Sequence, residues 1–124
     1  MYRVGIIGVG QIGYSIDLDN ARKFIWSHAK AYELHKKTKL VAVADIKNIN
    51  TNFGKQYPDV NFYANYMAMV ESSKLDFVSI CTPTPTHLEI LSNIAAIKSI
   101  KGIFLEKPVG KNYIESVQIN QICI

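Results

Sequence analysis

An apolar run near the N-terminus, Val4-Gly5-Ile6-Ile7, leads directly into Gly8-Val9-Gly10-Gln11-Ile12-Gly13. No other stretch limits the possible folds as strongly. A buried strand that meets three glycines spaced G-x-G-x-x-G is the dinucleotide-binding fingerprint. Each glycine answers a separate demand. Gly8 allows the tight turn, Gly10 lets backbone approach a pyrophosphate, and Gly13 lets the following helix pack close to the strand. The positive end of that helix then faces the phosphates. Glycine-rich turns also occur for purely structural reasons, so the rest of the chain decides.

That remainder alternates regularly. Strands are expected at 3–7, 39–44, 61–63, 76–81 and 102–105. They are near-continuous in apolar residues rather than alternating, the mark of a sheet covered on both faces. The intervening segments have helical features. Ser27 can cap a helix over 27–37, a second over 49–57 stops before Pro58, and Asn65 can cap 66–71. Thr86-His87-Leu88-Glu89 fits a capping box ahead of a Leu88, Leu91, Ala95 stripe, and Asn112 can cap the last helix. Alternation of this kind predicts right-handed βαβ units in an α/β fold, a doubly wound parallel sheet.

Composition narrows the function. A length of 124 residues suits one domain, and 48% apolar with 19% charged residues excludes a disordered chain. No apolar run reaches the roughly 18 residues of a membrane span. Cys81 and Cys123 have no metal or redox spacing, so no metal site is expected and both read as reduced thiols of a cytoplasmic protein. The net charge of +4 invites nucleic acid as a partner, but the lysines are scattered. The dense group His35-Lys36-Lys37-Thr38-Lys39 falls where a helix should end and can complement its dipole.

One segment breaks the rhythm. Residues 14–26, with Asp17, Asp19, Arg22, Lys23 and Trp26, make the first crossover about a dozen residues too long. Two readings stand: a surface excursion, or a flap touching cofactor or substrate. The acid ending the second strand, Asp45, lies 32 positions past Gly13, against the fingerprint's roughly 20. The insertion accounts for that excess. A carboxylate at this strand end can accept both ribose hydroxyls of adenosine and repel a 2′-phosphate, favouring NAD over NADP. Lys47 nearby softens that preference.

Two later strand ends carry polar groups into the same crevice. The fourth continues as Cys81-Thr82-Pro83-Thr84-Pro85-Thr86-His87, an extended loop lined with hydroxyls and carbonyls. The fifth continues as Glu106-Lys107-Pro108. Proline after Lys107 disfavours a helical conformation there and holds the lysine at the rim. A lysine in a partly desolvated cleft beside a cationic nicotinamide can shuttle a proton. An ordinary surface ion pair is the simpler alternative.

Taken in order, G-V-G-Q-I-G, V-A-V-A-D, C-T-P-T-P-T-H and E-K-P resemble the N-terminal domain of the glucose–fructose oxidoreductase / inositol dehydrogenase / MocA (Gfo/Idh/MocA) family. The resemblance covers nearly the whole chain. It implies oxidation of a sugar, polyol or sugar-nucleotide hydroxyl, or reduction of the ketone, with NAD or NADP. It implies that Gly8, Gly10, Gln11, Ile12 and Gly13 hold the pyrophosphate and Asp45 the adenosine ribose. Thr82, Pro83 and His87 would line the dinucleotide, with Glu106 near the nicotinamide end and Lys107 the catalytic residue at the substrate hydroxyl. His28 resembles the histidine that normally follows the glycine loop within a few residues, but the insertion delays it.

Family chains run well over 300 residues, with a second α/β domain supplying most substrate contacts and the oligomer interface. Residues 1–124 therefore read as the cofactor domain alone, ending before a sixth strand, with weak dinucleotide binding and little or no turnover expected. The whole protein is expected to be a homo-oligomer acting on a sugar-like small molecule, without nucleic acid or membrane. A non-catalytic dinucleotide-sensing module is the alternative, against which Lys107 argues. An S-adenosylmethionine-dependent methyltransferase also uses glycine-rich turns, but E-K-P and the placement of Asp45 oppose it.

Overall fold

Short β-branched segments that cannot shield both faces by themselves assemble into one parallel sheet with helices on either side. The computed structural model describes residues 1–47 and 51–123. Its strands are β1 (Tyr2–Ile7), β2 (Thr38–Ala44), β3 (Asn61–Tyr63), β4 (Phe77–Ile80) and β5 (Gly102–Leu105). The helices are α1 (His28–Leu34), α2 (Thr51–Gln56), α3 (Tyr66–Ser73), α4 (His87–Ile94) and α5 (Tyr113–Ile122). The strand order is β3-β2-β1-β4-β5, with every pair parallel.

Side chains alternate across the sheet and so feed two cores. Val4 and Ile6 of β1 pack with Val9, Tyr14, Ala29, Val43, Phe53 and Tyr57 beneath α1 and α2. Ile7 packs on the other face with Met69, Leu75, Val78, Ile80, Leu91, Ile94 and Ile119, beneath α3, α4 and α5. The chain leaves β1 in one direction for β2 and β3, then crosses back to β4 on the other side. That reversal beside β1 is the topological switch point, where parallel sheets of this kind open a crevice at their carboxyl ends.

The elements follow the sequence expectations, with informative differences. Asn65 caps α3 by accepting from the N–H groups of Met67 and Ala68, and Asn112 caps α5 by accepting from Glu115. Helix α1 stops at Leu34, so Lys36 and Lys37 follow it instead of occupying its last turn. The start of the helix expected over 49–57 falls partly outside the described residues. Thr86 does not close a capping box. Its hydroxyl turns back to Thr82 Oγ1 (2.6 Å) and the Pro83 carbonyl (2.7 Å). The buried face of α4 is His87, Ile90, Leu91 and Ile94, rotated from the expected stripe so that Ala95 is exposed. No helix among the described residues is long and apolar enough to cross a membrane.

The first crossover explains the excess length. Gly10 O accepts from Tyr14 N and Ser15 N, and Gln11 O from Ile16 N, which begins a helical turn at the glycine loop. The next two carbonyls, Ile12 and Gly13, accept instead from His28 N and Ala29 N, each at 3.0 Å. Donor and acceptor are sixteen positions apart where an α-helix uses four, so twelve residues are looped out of one continuous helical ladder. Removing those twelve from the 32 positions between Gly13 and Asp45 leaves the expected 20.

The excursion is clamped at its base. Asp17 accepts from Trp26 N (2.9 Å) and Ser27 N (2.7 Å), and Ser27 Oγ caps α1 by accepting from Lys30 N. Burial pulls the Asp17 carboxyl upward, but the Ser27 and Trp26 hydrogen bonds outweigh it and hold the group below its ordinary value. Tyr14 anchors the near end, buried edge-on against Phe53 with its hydroxyl on Gln56. The crest is different: Phe24 is 77% and Trp26 50% exposed, with the Arg22 guanidinium over the indole.

Candidate active site

The glycine loop emerges from β1 at the centre of the sheet, and its three glycines are glycine for three reasons. Gly8 has φ +87°, and a Cβ there would lie 2.9 Å from the Cys81 carbonyl and from Thr82 Cγ2. At Gly13 a Cβ would collide with the Gly8 carbonyl oxygen, so this glycine lets the start of the helical ladder pack against the backbone that leaves β1. A Cβ on Gly10 would meet nothing within 4 Å. Nothing in the described protein forbids a side chain there.

The loop's donors divide the same way. Gly8 N binds the Ala44 carbonyl and Val9 N donates to Asp45 Oδ2 at 3.0 Å. Among the described residues, the N–H groups of Gly10, Gln11, Ile12 and Gly13 donate to no protein group. Four free donors opening a helical turn, beside a bare exposed Gly10, form an anion cradle that the residues present fit. Asp45 flanks it. Its Oδ1 accepts from Lys47 N at 2.8 Å, which fixes the carboxylate with lone pairs left for an incoming hydroxyl.

On the other side of β1, the loop after β4 packs over the glycines through Thr82. Pro83 is exposed at its turn. The structure places His87 beneath this loop and not on it. The ring is 0% exposed, with Nδ1 3.0 Å from the Val109 carbonyl and Nε2 2.9 Å from the Thr82 carbonyl. His87 therefore ties the β4 loop to the β5 loop, and the expected contact with the dinucleotide gives way to an internal strut. Cys81 is also withdrawn: burial, reinforced by the Glu106 charge, pushes its thiol up to about 12.

Glu106 and Lys107 stand at the end of β5, three strands from Asp45. Interstrand steps of about 4.8 Å put the two strand ends ~14 Å apart, with the glycine cradle between them. Glu106 Oε2 accepts from Lys107 N at 3.1 Å. Glu106 Oε1 faces Nε2 of His28 at 2.8 Å. The histidine hydrogen bond, working against burial and helped by Lys107, holds the Glu106 carboxyl below its ordinary value. The Lys107–Pro108 peptide is cis, and the Lys107 side chain is exposed with no salt bridge among the described residues.

His28 is the residue that reading along the chain left unplaced. The helical splice returns it to one turn beyond the glycine loop, opposite the β5 end. Counting the twelve surplus residues against the Gly13–Asp45 spacing was the signal that could have restored it.

A doubly wound parallel sheet with a donor-lined glycine cradle at its switch point defines a dinucleotide-binding domain. Residues 2–123 match the family described as oxidoreductase, NAD-binding Rossmann fold (GFO_IDH_MocA), and the chain belongs to that family. It is 31% identical over 112 residues to inositol 2-dehydrogenase of Rhizobium meliloti, covering 86% of this chain and 28% of that protein. Against 2,7-anhydro-N-acetylneuraminate hydratase of Escherichia coli K12 it is 28% identical over 123 residues, covering 99% of this chain and 29% of that protein. The crystal structure of myo-inositol 2-dehydrogenase from Lactobacillus plantarum superposes with TM-score 0.76 at 25% identity, covering 98% of this chain and 32% of that one. The chain thus spans about three tenths of these relatives, and corresponds to their NAD-binding domain.

Proposed function

We propose that residues 1–124 are the cofactor domain of an NAD(P)-dependent oxidoreductase that moves a hydride between nicotinamide and a hydroxyl or ketone of a sugar, polyol or sugar nucleotide. The observation that carries this reading is the row of free N–H groups from Gly10 to Gly13 beside the fixed Asp45 carboxylate. In this reading Gly8, Gly10, Gln11, Ile12 and Gly13 cradle the pyrophosphate, and Asp45 takes the adenosine ribose. Thr82 and Pro83 flank the dinucleotide, and Glu106 faces its nicotinamide end. The bound cofactor supplies the hydride chemistry. Lys107 is the residue assigned to the substrate hydroxyl, where it receives or returns the proton. Its exposure means that any desolvated cleft around it needs walls beyond the described residues. The two kinds of activity named among the relatives, dehydrogenase and hydratase, leave the substrate at the class of polyhydroxylated small molecules.

NAD is the preferred cofactor here, because the Asp45 charge opposes a 2′-phosphate. The whole protein is read as a cytoplasmic homo-oligomer. Calorimetric titration of this chain tests the reading: NAD+ should bind, NADP+ should bind about tenfold more weakly, and S-adenosylmethionine should give no heat. Absence of NAD+ binding at millimolar concentration would overturn it. In a protein carrying a complete substrate site, Lys107→Ala should lower kcat about a hundredfold or more with cofactor affinity unchanged. Undiminished turnover would favour the sensing-module alternative.

A further inference from the structure

Behind Glu106 lies a hydrogen-bonded chain that joins three elements far apart in sequence. His28 Nε2 faces Glu106 Oε1 at 2.8 Å, and its Nδ1 faces Ser79 Oγ at 2.9 Å. Ser79 is fully buried on β4 and also meets the Tyr32 hydroxyl, one helical turn beyond His28 on α1. The Phe104 ring packs edge-on against the imidazole at 4.8 Å. The side chains of His28 and Glu106 are only 11% and 16% exposed.

One direction of donation satisfies the whole chain with a neutral imidazole. Tyr32 O–H donates to Ser79, Ser79 O–H donates to Nδ1, and Nε2–H donates to Glu106. Every polar atom then has its partner, and the ring has a single tautomer and orientation. The consequence falls on Glu106. Its two oxygens are held from opposite sides, by His28 and by the Lys107 backbone N–H. A carboxylate held this way does not swing onto the Lys107 ammonium, and no such ion pair forms among the described residues. The twelve-residue splice is needed for this arrangement, since it brings α1 back into register with the glycine loop.

We propose that His28, backed by Ser79 and Tyr32, is a positioning residue that fixes the Glu106 carboxylate at the nicotinamide end of the crevice. The proposal rests on the dinucleotide reading above. A carboxylate aimed at that end favours the cationic ring of NAD+ over neutral NADH, and has no bearing on ADP-ribose, which lacks the ring.

The test measures the affinities of NAD+, NADH and ADP-ribose for this chain and its variants, with circular dichroism confirming folding. His28→Ala should lose about tenfold in NAD+ affinity, less for NADH, and stay within twofold for ADP-ribose. His28→Gln, whose amide can donate to Glu106 and accept from Ser79, should recover most of the loss, which a merely structural role would not require. Equal losses for all three ligands in a folded His28→Ala, or no loss for NAD+, would overturn the proposal. If His28→Ala does not fold, Glu106→Ala takes its place, and an unchanged NAD+ to ADP-ribose ratio overturns it. A wild-type chain that binds ADP-ribose and NAD+ equally refutes the role of His28 and leaves the dinucleotide reading intact. One that binds none of the three refutes both.

Discussion

At the β1–β2 end of the carboxyl edge, the backbone itself makes the site. Gly8 and Gly13 are held by contacts a Cβ would violate, Asp45 is tied to the loop it flanks, and the N–H groups from Gly10 to Gly13 are left without a protein acceptor among the described residues. At the β4–β5 end the site is made of side chains, and their support comes from across the fold: His28 from α1 for Glu106, His87 from α4 for the β4 and β5 loops. Beyond them Lys107, Phe104 and Tyr113 are exposed. The first end is held together by its own loop and strand ends. The second is hydrogen-bonded underneath and exposed on top.

The largest effect should come from confusing the two kinds of glycine at the first end. Gly13→Ala puts a methyl group into the Gly8 carbonyl and should destabilise the fold by about 3 kcal/mol in urea denaturation. Gly10→Ala should change stability by no more than about 0.5 kcal/mol, yet weaken NAD+ binding about tenfold or more. If both alanines damage stability alike, the distinction between protein-filled and ligand-filled space is wrong.

An intermediate effect is expected at the clamp under the insertion. Asp17→Ala frees two backbone donors, of Trp26 and Ser27, and should cost about 1–2 kcal/mol. Amide exchange should quicken at Trp26 and Ser27 and remain slow in β1. Equal acceleration in the central strand would mean that the insertion is integral to the sheet and not an appendage on it.

The smallest effect concerns pH at the second end. The Glu106 carboxyl is held below its ordinary value of 4.5, chiefly by His28. A depressed carboxyl contributes stability above its unfolded value, and that contribution disappears as pH falls through the lower folded value. The contribution is therefore present above pH 4.5 and declines progressively as pH falls from there through the lower folded value. Glu106→Gln should flatten this part of the acid limb by a fraction of a kcal/mol in denaturation measured across pH 3–6. A limb identical to wild type would show that Glu106 is not held as described.

Much of the architecture was legible from local order. The strand run into Gly8, the acid at Asp45 and the E-K-P strand end are features of adjacent residues, and five strands fall within two residues of their expected spans. Caps at Asn65 and Asn112 were equally readable, because a cap satisfies donors two or three residues away. His87 was not. Its neighbours Thr82 and Thr86 marked a polar loop, while the Val109 carbonyl that makes it a strut lies 22 residues downstream. The face of α4 was misjudged for the same reason, since a histidine with both ring nitrogens engaged can sit on a buried stripe where an isolated one would not.

The sequence by itself determined the order of elements, the parallel sheet and the strand ends that carry chemistry, because periodicity and turn preference act between near neighbours. Only the tertiary structure decided which of those residues meet. His28 reaches Ser79 and Glu106 across 51 and 78 positions, through a helix whose ladder skips twelve residues. Contacts at that separation depend on the register of packed elements, which no local preference along the chain encodes.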